Sequence, residues 1–257
     1  MNHTTLILAY PCVLSAMLVL AFLVCPLLFF VSAPYGRHVR QGWGPMMNAR
    51  AGWLIMESPA SLLMLMTAFY LPLNPTLIIL LGIWQIHYFH RAFVYPFTLQ
   101  TSRPMPVVVM LMAFGFNVAN AYLNGMHFII HADQYVAGWL LQPLSIAGLV
   151  VFATGFYITK KSDSMLGRLR SEATSQGEGG YRIPRGFLFR WVSCPNYLGE
   201  SIQWFGWCLL TQAPAAWVFL AWTLANLVPR AVKHHQWYRD NFEDYPPQRR
   251  AIFPGVL

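Results

Sequence analysis

Seven long apolar stretches constrain this chain more than any other feature. They cover approximately residues 5–31, 51–71, 75–95, 106–126, 138–159, 195–212 and 214–229. Each is close to the ~20 residues an α-helix needs to cross ~30 Å of hydrocarbon. Only 10% of the 257 residues are charged and 56% are hydrophobic, with a mean hydropathy of +0.44. A soluble domain carries ~25% charged residues, so soluble, fibrous and disordered classes are excluded. The expected fold is an all-α integral membrane protein, a bundle of about seven transmembrane helices forming one domain over 1–257. The first stretch has nothing basic before it and is too long for a signal-peptide core, so it reads as a retained helix. Pro214 marks either a tight turn between the last two segments or a kink in one longer helix.

The net charge of +8 has a positional explanation. All 17 Lys and Arg residues lie in or beside the first, third and fifth loops or the C-terminal tail. A seven-helix count puts these regions on one side. The positive-inside rule makes that side cytoplasmic and the N-terminus external. The basic face suits an anionic cytosolic ligand; nucleic acid is not expected as a partner. Cys12, Cys25, Cys194 and Cys208 form no C-x-x-C pair and no zinc spacing with His, so no metal is expected. The stretch 171–180 has the composition of a flexible linker or lid.

Ionisable groups at membrane depth are costly and usually functional. Glu57 lies about six residues inside the second segment, ~9 Å deep, and Tyr88 lies ~10 Å deep in the third. Two hydrogen-bonding groups at matched depth on neighbouring helices make a pair; alone, Glu57 would read as a bond gluing the bundle. Trp84, Tyr88, Arg91 and Tyr95 share one helix face, while His87 and His90 read as structural. Asn196, Glu200, Gln203 and Trp204 form a stripe that lipid would not tolerate. Arg230, His234 and Tyr238 form another at four-residue spacing, which an interfacial amphipathic helix would also show. There is no G-x-G-x-x-G, P-loop, H-E-x-x-H or G-x-S-x-G.

Five motifs together carry a resemblance: His87–Tyr95 (His-Tyr-Phe-His-Arg-Ala-Phe-Val-Tyr), Tyr181–Gly186, Asn196–Glu200, His234–Tyr238 and Phe242–Pro246. The chain resembles the steroid 5α-reductase family (3-oxo-5α-steroid 4-dehydrogenases) over nearly its whole length. The resemblance implies reduction of a Δ4-3-oxo steroid by NADPH, with the cytoplasmic loops closing over a cofactor cavity. It assigns Glu57 and Tyr88 to the substrate C3 carbonyl as catalytic groups, with Trp53 beside them in the substrate site. It assigns Tyr35, Arg37, Arg91, Tyr95, Arg103, Asp163, Arg170, Tyr181, Asn196, Glu200, Trp204, Arg230, His234 and Tyr238 to the NADPH site. Met56 and Thr159 depart from the animal members, which carry Gln and, near the second position, Asn. The implied chemistry needs an uncharged Glu57 that donates, with Tyr88, to a carbonyl oxygen gaining negative charge. Other readings use the same residues differently. One is a reductase of another lipid enone, enoyl thioester or polyprenol; another is an isoprenylcysteine-type methyltransferase using S-adenosylmethionine; a third is a receptor or transporter. The expected partners are a lipophilic substrate and the bilayer.

Overall fold

The computed structural model describes residues 3–98, 104–176 and 181–257. Seven long helices follow one another: α1 His3–Phe30, α2 Ala49–Thr67, α3 Pro75–Thr98, α4 Val107–Ile130, α5 Pro143–Ser175, α6 Pro195–Thr211 and α7 Pro214–Asn241. Six are long and apolar enough to cross a membrane. The exception, α6, has 17 residues and is largely enclosed by its neighbours. The chain is an all-α, multi-pass membrane protein.

Local chemistry sets the helix ends. Asn48 caps α2 by accepting from the Arg50 and Ala51 amides, and Asn74 caps α3 by accepting from Leu77 N with Pro75 in the first turn. Gln212 takes a left-handed conformation (φ +55°) after α6, and Pro214 opens α7, so the Pro214 ambiguity resolves to a tight turn between two helices. β1 Met46–Met47 pairs antiparallel with β2 Met105–Pro106, clasping the entries to α2 and α4.

Two boundaries differ from the sequence reading. The fifth helix was expected to stop at 159, but α5 runs four turns further, to Ser175. Residues 160–175 are rich in Lys, Arg, Leu, Met and Glu, all good helix formers, and the polarity read as loop is a solvated helix surface. The linker reading of 171–180 therefore fails at 171–175, and 177–180 lie outside the described residues. The last helix was expected to end near Pro229, but α7 passes through it to Asn241. A proline removes one backbone bond without stopping a helix that neighbours hold on both sides.

α5 and α6 pack backbone to backbone. Gly148 and Gly155 on α5 face Gly206 and Gly199 on α6, and a Cβ at any of the four would lie within 2.7 Å of the opposite helix. Small residues permit this approach, which lipid-embedded helices use in place of a hydrophobic drive. Trp84, Trp204, Trp207 and Phe219 meet at ring centroids of 4.3–5.9 Å and form the dry centre of the bundle. α1 is tied on by Trp222 Nε1 donating to Met17 O (2.7 Å) and Tyr122 Oη donating to Leu6 O (2.6 Å).

Candidate active site

α3 changes its winding where the site begins. His90–Val94 is π-helical, between regular turns on either side. Such a stretch shifts every later side chain around the axis and is frequent at functional sites. Arg91 projects from it. Its Nε donates to Glu57 Oε1 on α2 (3.2 Å), and its Nη1 lies 3.7 Å from Glu200 Oε2 on α6. One guanidinium thus bridges two carboxylates from two helices. Trp53 lies under Arg91 at 4.9 Å and meets the Tyr95 ring edge-on at 5.2 Å. Asn117 Nδ2 on α4 donates to Glu57 Oε2 (3.2 Å) and to Met56 O (2.7 Å). Asn120 Nδ2, one turn further, donates to Tyr88 Oη (3.1 Å).

Beside Arg91 opens a cavity of about 650 Å³, within the ~300–1,000 Å³ usual for small-molecule sites. Its walls are helix extensions more than loops: the end of α3, the polar halves of α5 and α7, the start of α6, and the turn at Tyr35–Arg37. Trp53, Tyr35, Arg37, Arg91, Tyr95, Asp163, Arg170, Asn196, Glu200, Arg230, His234 and Tyr238 all line it. Four others do not. Glu57 and Tyr88 are 7% and 3% exposed and sit deeper than the wall, Glu57 in contact with Arg91. Trp204 is sealed in the aromatic centre, and Tyr181 meets Trp237 edge-on outside the wall. Arg103 lies outside the described residues.

The cationic rim is built on aromatic rings. The Arg37 guanidinium is caged by Tyr181, Trp237 and Tyr238 at 4.6–4.8 Å, and its Nη1 is buried with no partner among the described residues. Arg230 lies 3.6 Å over the Tyr35 ring and donates to Tyr197 Oη (3.0 Å). Tyr197 Oη in turn meets His234 Nε2 at 3.1 Å, and His234 Nδ1 meets His38 Nε2 at 3.1 Å. Burial, then the surrounding Arg230, Arg37, Arg40 and Lys233, push the His38 pKa down to about 4, so this ring is neutral at physiological pH. Burial pushes the Cys194 thiol at the mouth of α6 up to about 12. Asn196 Nδ2 donates to Asp163 Oδ1 (3.1 Å), pinning α6 to α5.

Sequence reading missed Asn117, Asn120 and Asn124. Their spacing of three and four residues in an apolar run is a polar stripe of the kind noticed on α6, but none is ionisable. Lys160, which donates to His90 Nδ1 (2.9 Å), was also missed because its segment was read as loop.

The sequence profile described as 3-oxo-5-alpha-steroid 4-dehydrogenase matches residues 103–257. Among curated relatives, steroid 5-alpha-reductase DET2 of Gossypium hirsutum is 40% identical over 239 residues, covering 89% of this chain and 90% of its own length. The Arabidopsis thaliana protein of the same name is 41% identical over 242 residues, 90% of each chain. The chain belongs to this family. The Bos taurus relative, 3-oxo-5-alpha-steroid 4-dehydrogenase 1, is 36% identical over 252 residues, covering 93% of this chain and 96% of its own. For this member of the 3-oxo-5-alpha-steroid 4-dehydrogenase family, the matched stretch takes in α4 to α7 and hence most of the cavity wall. Membership sets aside the methyltransferase and the receptor or transporter.

Proposed function

We propose that this protein reduces the Δ4 carbon–carbon double bond of a 3-oxo steroid to the 5α-reduced product, with NADPH as the reductant. The family supports the reaction class. The observation that carries the cofactor is the arginine-lined cavity ending at Arg91. A dinucleotide with three phosphates needs guanidinium donors and flat surfaces, and the cavity offers both. Arg37, Arg170 and Arg230 would hold the phosphates, Tyr35 and Tyr238 provide ring faces, and Arg37 Nη1, which has no partner among the described residues, is a donor free for an acceptor. The residues present therefore fit the group. A cluster of arginines also favours the 2′-phosphorylated nucleotide over the plain one. The basic face supports an orientation with the N-terminus external and the cavity and C-terminus cytoplasmic.

When bound, the reduced nicotinamide supplies the hydride, delivered to C5 of the steroid. The chain's own residues manage the charge that this creates at the C3 carbonyl oxygen. Tyr88 donates a hydrogen bond from its hydroxyl to that oxygen and Glu57 donates a second as the neutral acid; the enolate then takes up a solvent-derived proton at C4, which with the hydride at C5 completes the saturation of the double bond. Arg91 carries one positive charge between two carboxylates, so a proton on the deeper one, Glu57, balances the trio. Preplaced donors of this kind contribute ~10²–10³ in rate each. Arg91 and Asn117 hold the Glu57 carboxyl on both oxygens, and Trp53 flanks the entrance. Glu57 and Tyr88 are buried, so a flat lipophilic substrate must part side chains to reach them, and the pocket that results excludes water.

Purified protein in lipid nanodiscs, supplied with NADPH and a panel of Δ4-3-oxo steroids and enoyl lipids, tests the proposal by product mass. The expected product is the 5α-dihydro steroid, with stoichiometric NADPH oxidation. Conversion of the enoyl lipids alone, or equal use of NADH, would overturn the substrate or cofactor assignment.

A further inference from the structure

Tyr88 ends a chain of hydrogen bonds whose direction is fixed at its far end. Trp207 on α6 is fully buried, and an indole N–H can only donate. It donates to Asn124 Oδ1 (3.1 Å). The amide nitrogen of Asn124 must then face the other way, and Asn124 Nδ2 donates to Asn120 Oδ1 (3.0 Å). The same nitrogen donates to the backbone carbonyl Asn120 O (3.0 Å), an acceptor only, which fixes the orientation a second time. With its oxygen occupied, Asn120 turns its nitrogen to Tyr88 and donates to Tyr88 Oη (3.1 Å). Tyr88 is therefore forced to accept along this chain. It has one proton of its own, and among the described residues no acceptor lies within reach of it. Asn120 and Asn124 are 2% exposed, so water does not compete for these bonds.

We infer that Trp207, Asn124 and Asn120 form a one-way relay of positioning residues that keeps the Tyr88 hydroxyl proton free for the substrate oxygen. A phenol in an apolar site would otherwise give its proton to the nearest amide oxygen and present the substrate with a lone pair. The three residues move no proton and touch no reacting atom; they set the polarity of the group that does. This rests on the reading of Tyr88 as a donor to the substrate carbonyl.

The test reads that hydrogen bond directly. The holoprotein with NADP⁺, which cannot turn over, is loaded with 4-androstene-3,17-dione carrying ¹³C at C3, and the carbonyl band is followed by isotope-edited infrared spectroscopy. In the wild type the band lies below that of the free steroid, and in Tyr88→Phe it moves back up. In Asn120→Asp the new side chain is buried and ionises only at high pH, where its carboxylate accepts the Tyr88 proton. The band should move up as in Tyr88→Phe and turnover should fall ~10²–10³-fold with NADP⁺ affinity unchanged. On acidification the protonated Asp can again donate to Tyr88, and the band should return, a pH dependence the wild type lacks. Asn124→Leu, which adds no charge, releases the Asn120 amide to turn, and the single band should split in two. A wild-type band in Asn120→Asp at a pH where the carboxylate stretch of the new side chain is present overturns the relay; where that side chain never ionises, Asn124→Leu decides alone. If Asn120→Asp does not bind NADP⁺, Asn124→Leu decides alone: two bands uphold the relay and one unshifted band overturns it. An unshifted band in Tyr88→Phe instead removes Tyr88 from the proposed function, and the relay with it.

Discussion

Gly155→Ala asks whether the α5–α6 contact sets the geometry of the cavity. A Cβ there would lie 2.2 Å from Gln203 N, 2.5 Å from Gly199 O and 2.7 Å from Gln203 Cα. All three atoms are α6 backbone, so no side-chain rotation relieves the overlap. Ordinary contact begins near 3.4 Å, so the helices must part by about 1.2 Å at this level. Overpacking a tight interior costs ~1–3 kcal/mol, and backbone against backbone sits at the upper end. At ~2–4 °C per kcal/mol the melting temperature should fall by roughly 5–10 °C. The displacement also reaches the site. Asp163 is two turns along α5 from Gly155, and its 3.1 Å bond from Asn196 would open. A ~1 Å misplacement of a positioning group can cost ~10² in rate. Thermal unfolding and cofactor titration in nanodiscs measure both effects. Gly115→Ala on α4, whose Cβ would meet nothing within 4 Å, should change neither. If Gly155→Ala melts and binds cofactor like the wild type, the helices have slack and the reasoning is wrong.

Glu57→Leu, which removes the donor, should lower steroid turnover at least ~10²-fold while cofactor affinity measured by fluorescence titration stays unchanged; full turnover would remove Glu57 from the chemistry. Arg230→Ala should weaken NADPH binding by at least ~10-fold and leave a tyrosine ring uncovered, an effect calorimetry can read; equal affinity would place the phosphates elsewhere. His38 is neutral when folded, with its pKa lowered to about 4 against 6.5 ordinarily, so the folded state binds fewer protons than the unfolded one between those values. Stability should therefore fall as pH drops from about 6.5 to about 4, and denaturation of His38→Gln should show a flatter acid limb over that window. Cys194, with its thiol pushed up to about 12, should resist iodoacetamide at pH ~8 in the folded protein and react on unfolding, as peptide mass mapping would report.

What could be read from residues alone was the periodic part. Apolar length located seven helices, and four-residue spacing put Arg230, His234 and Tyr238 on one face. Three things were hidden for different reasons. The π-helical turn at His90–Val94 has no sequence signature, since it arises from how α3 packs, so the reach of Arg91 to two carboxylates was invisible. The polar half of α5 reads as loop because a solvated helix lacks the hydrophobic contrast that marks a spanning one. The α6 stripe was read as one surface, yet it divides. Asn196 and Glu200 meet the cavity, while Gln203 Nε2 meets His87 Nδ1 at 2.8 Å and Trp204 joins the aromatic centre, one turn deeper. The asparagines of α4 carry no charge, so their three- and four-residue spacing is the one mark they leave in the sequence.

α7 crosses the bilayer and reaches the wall of the cavity as one unbroken rod. From Trp217 to Tyr238 is roughly 30 Å at ~1.5 Å per residue, with His234 and Arg230 along the way. A rod of that length acts as a lever: a small tilt at its lipid-facing end becomes a displacement of ångströms at the other. Spanning helices tilt to match the thickness of the hydrocarbon around them. Sterols thicken membranes, so the composition of the surrounding bilayer is mechanically coupled to the shape of this site.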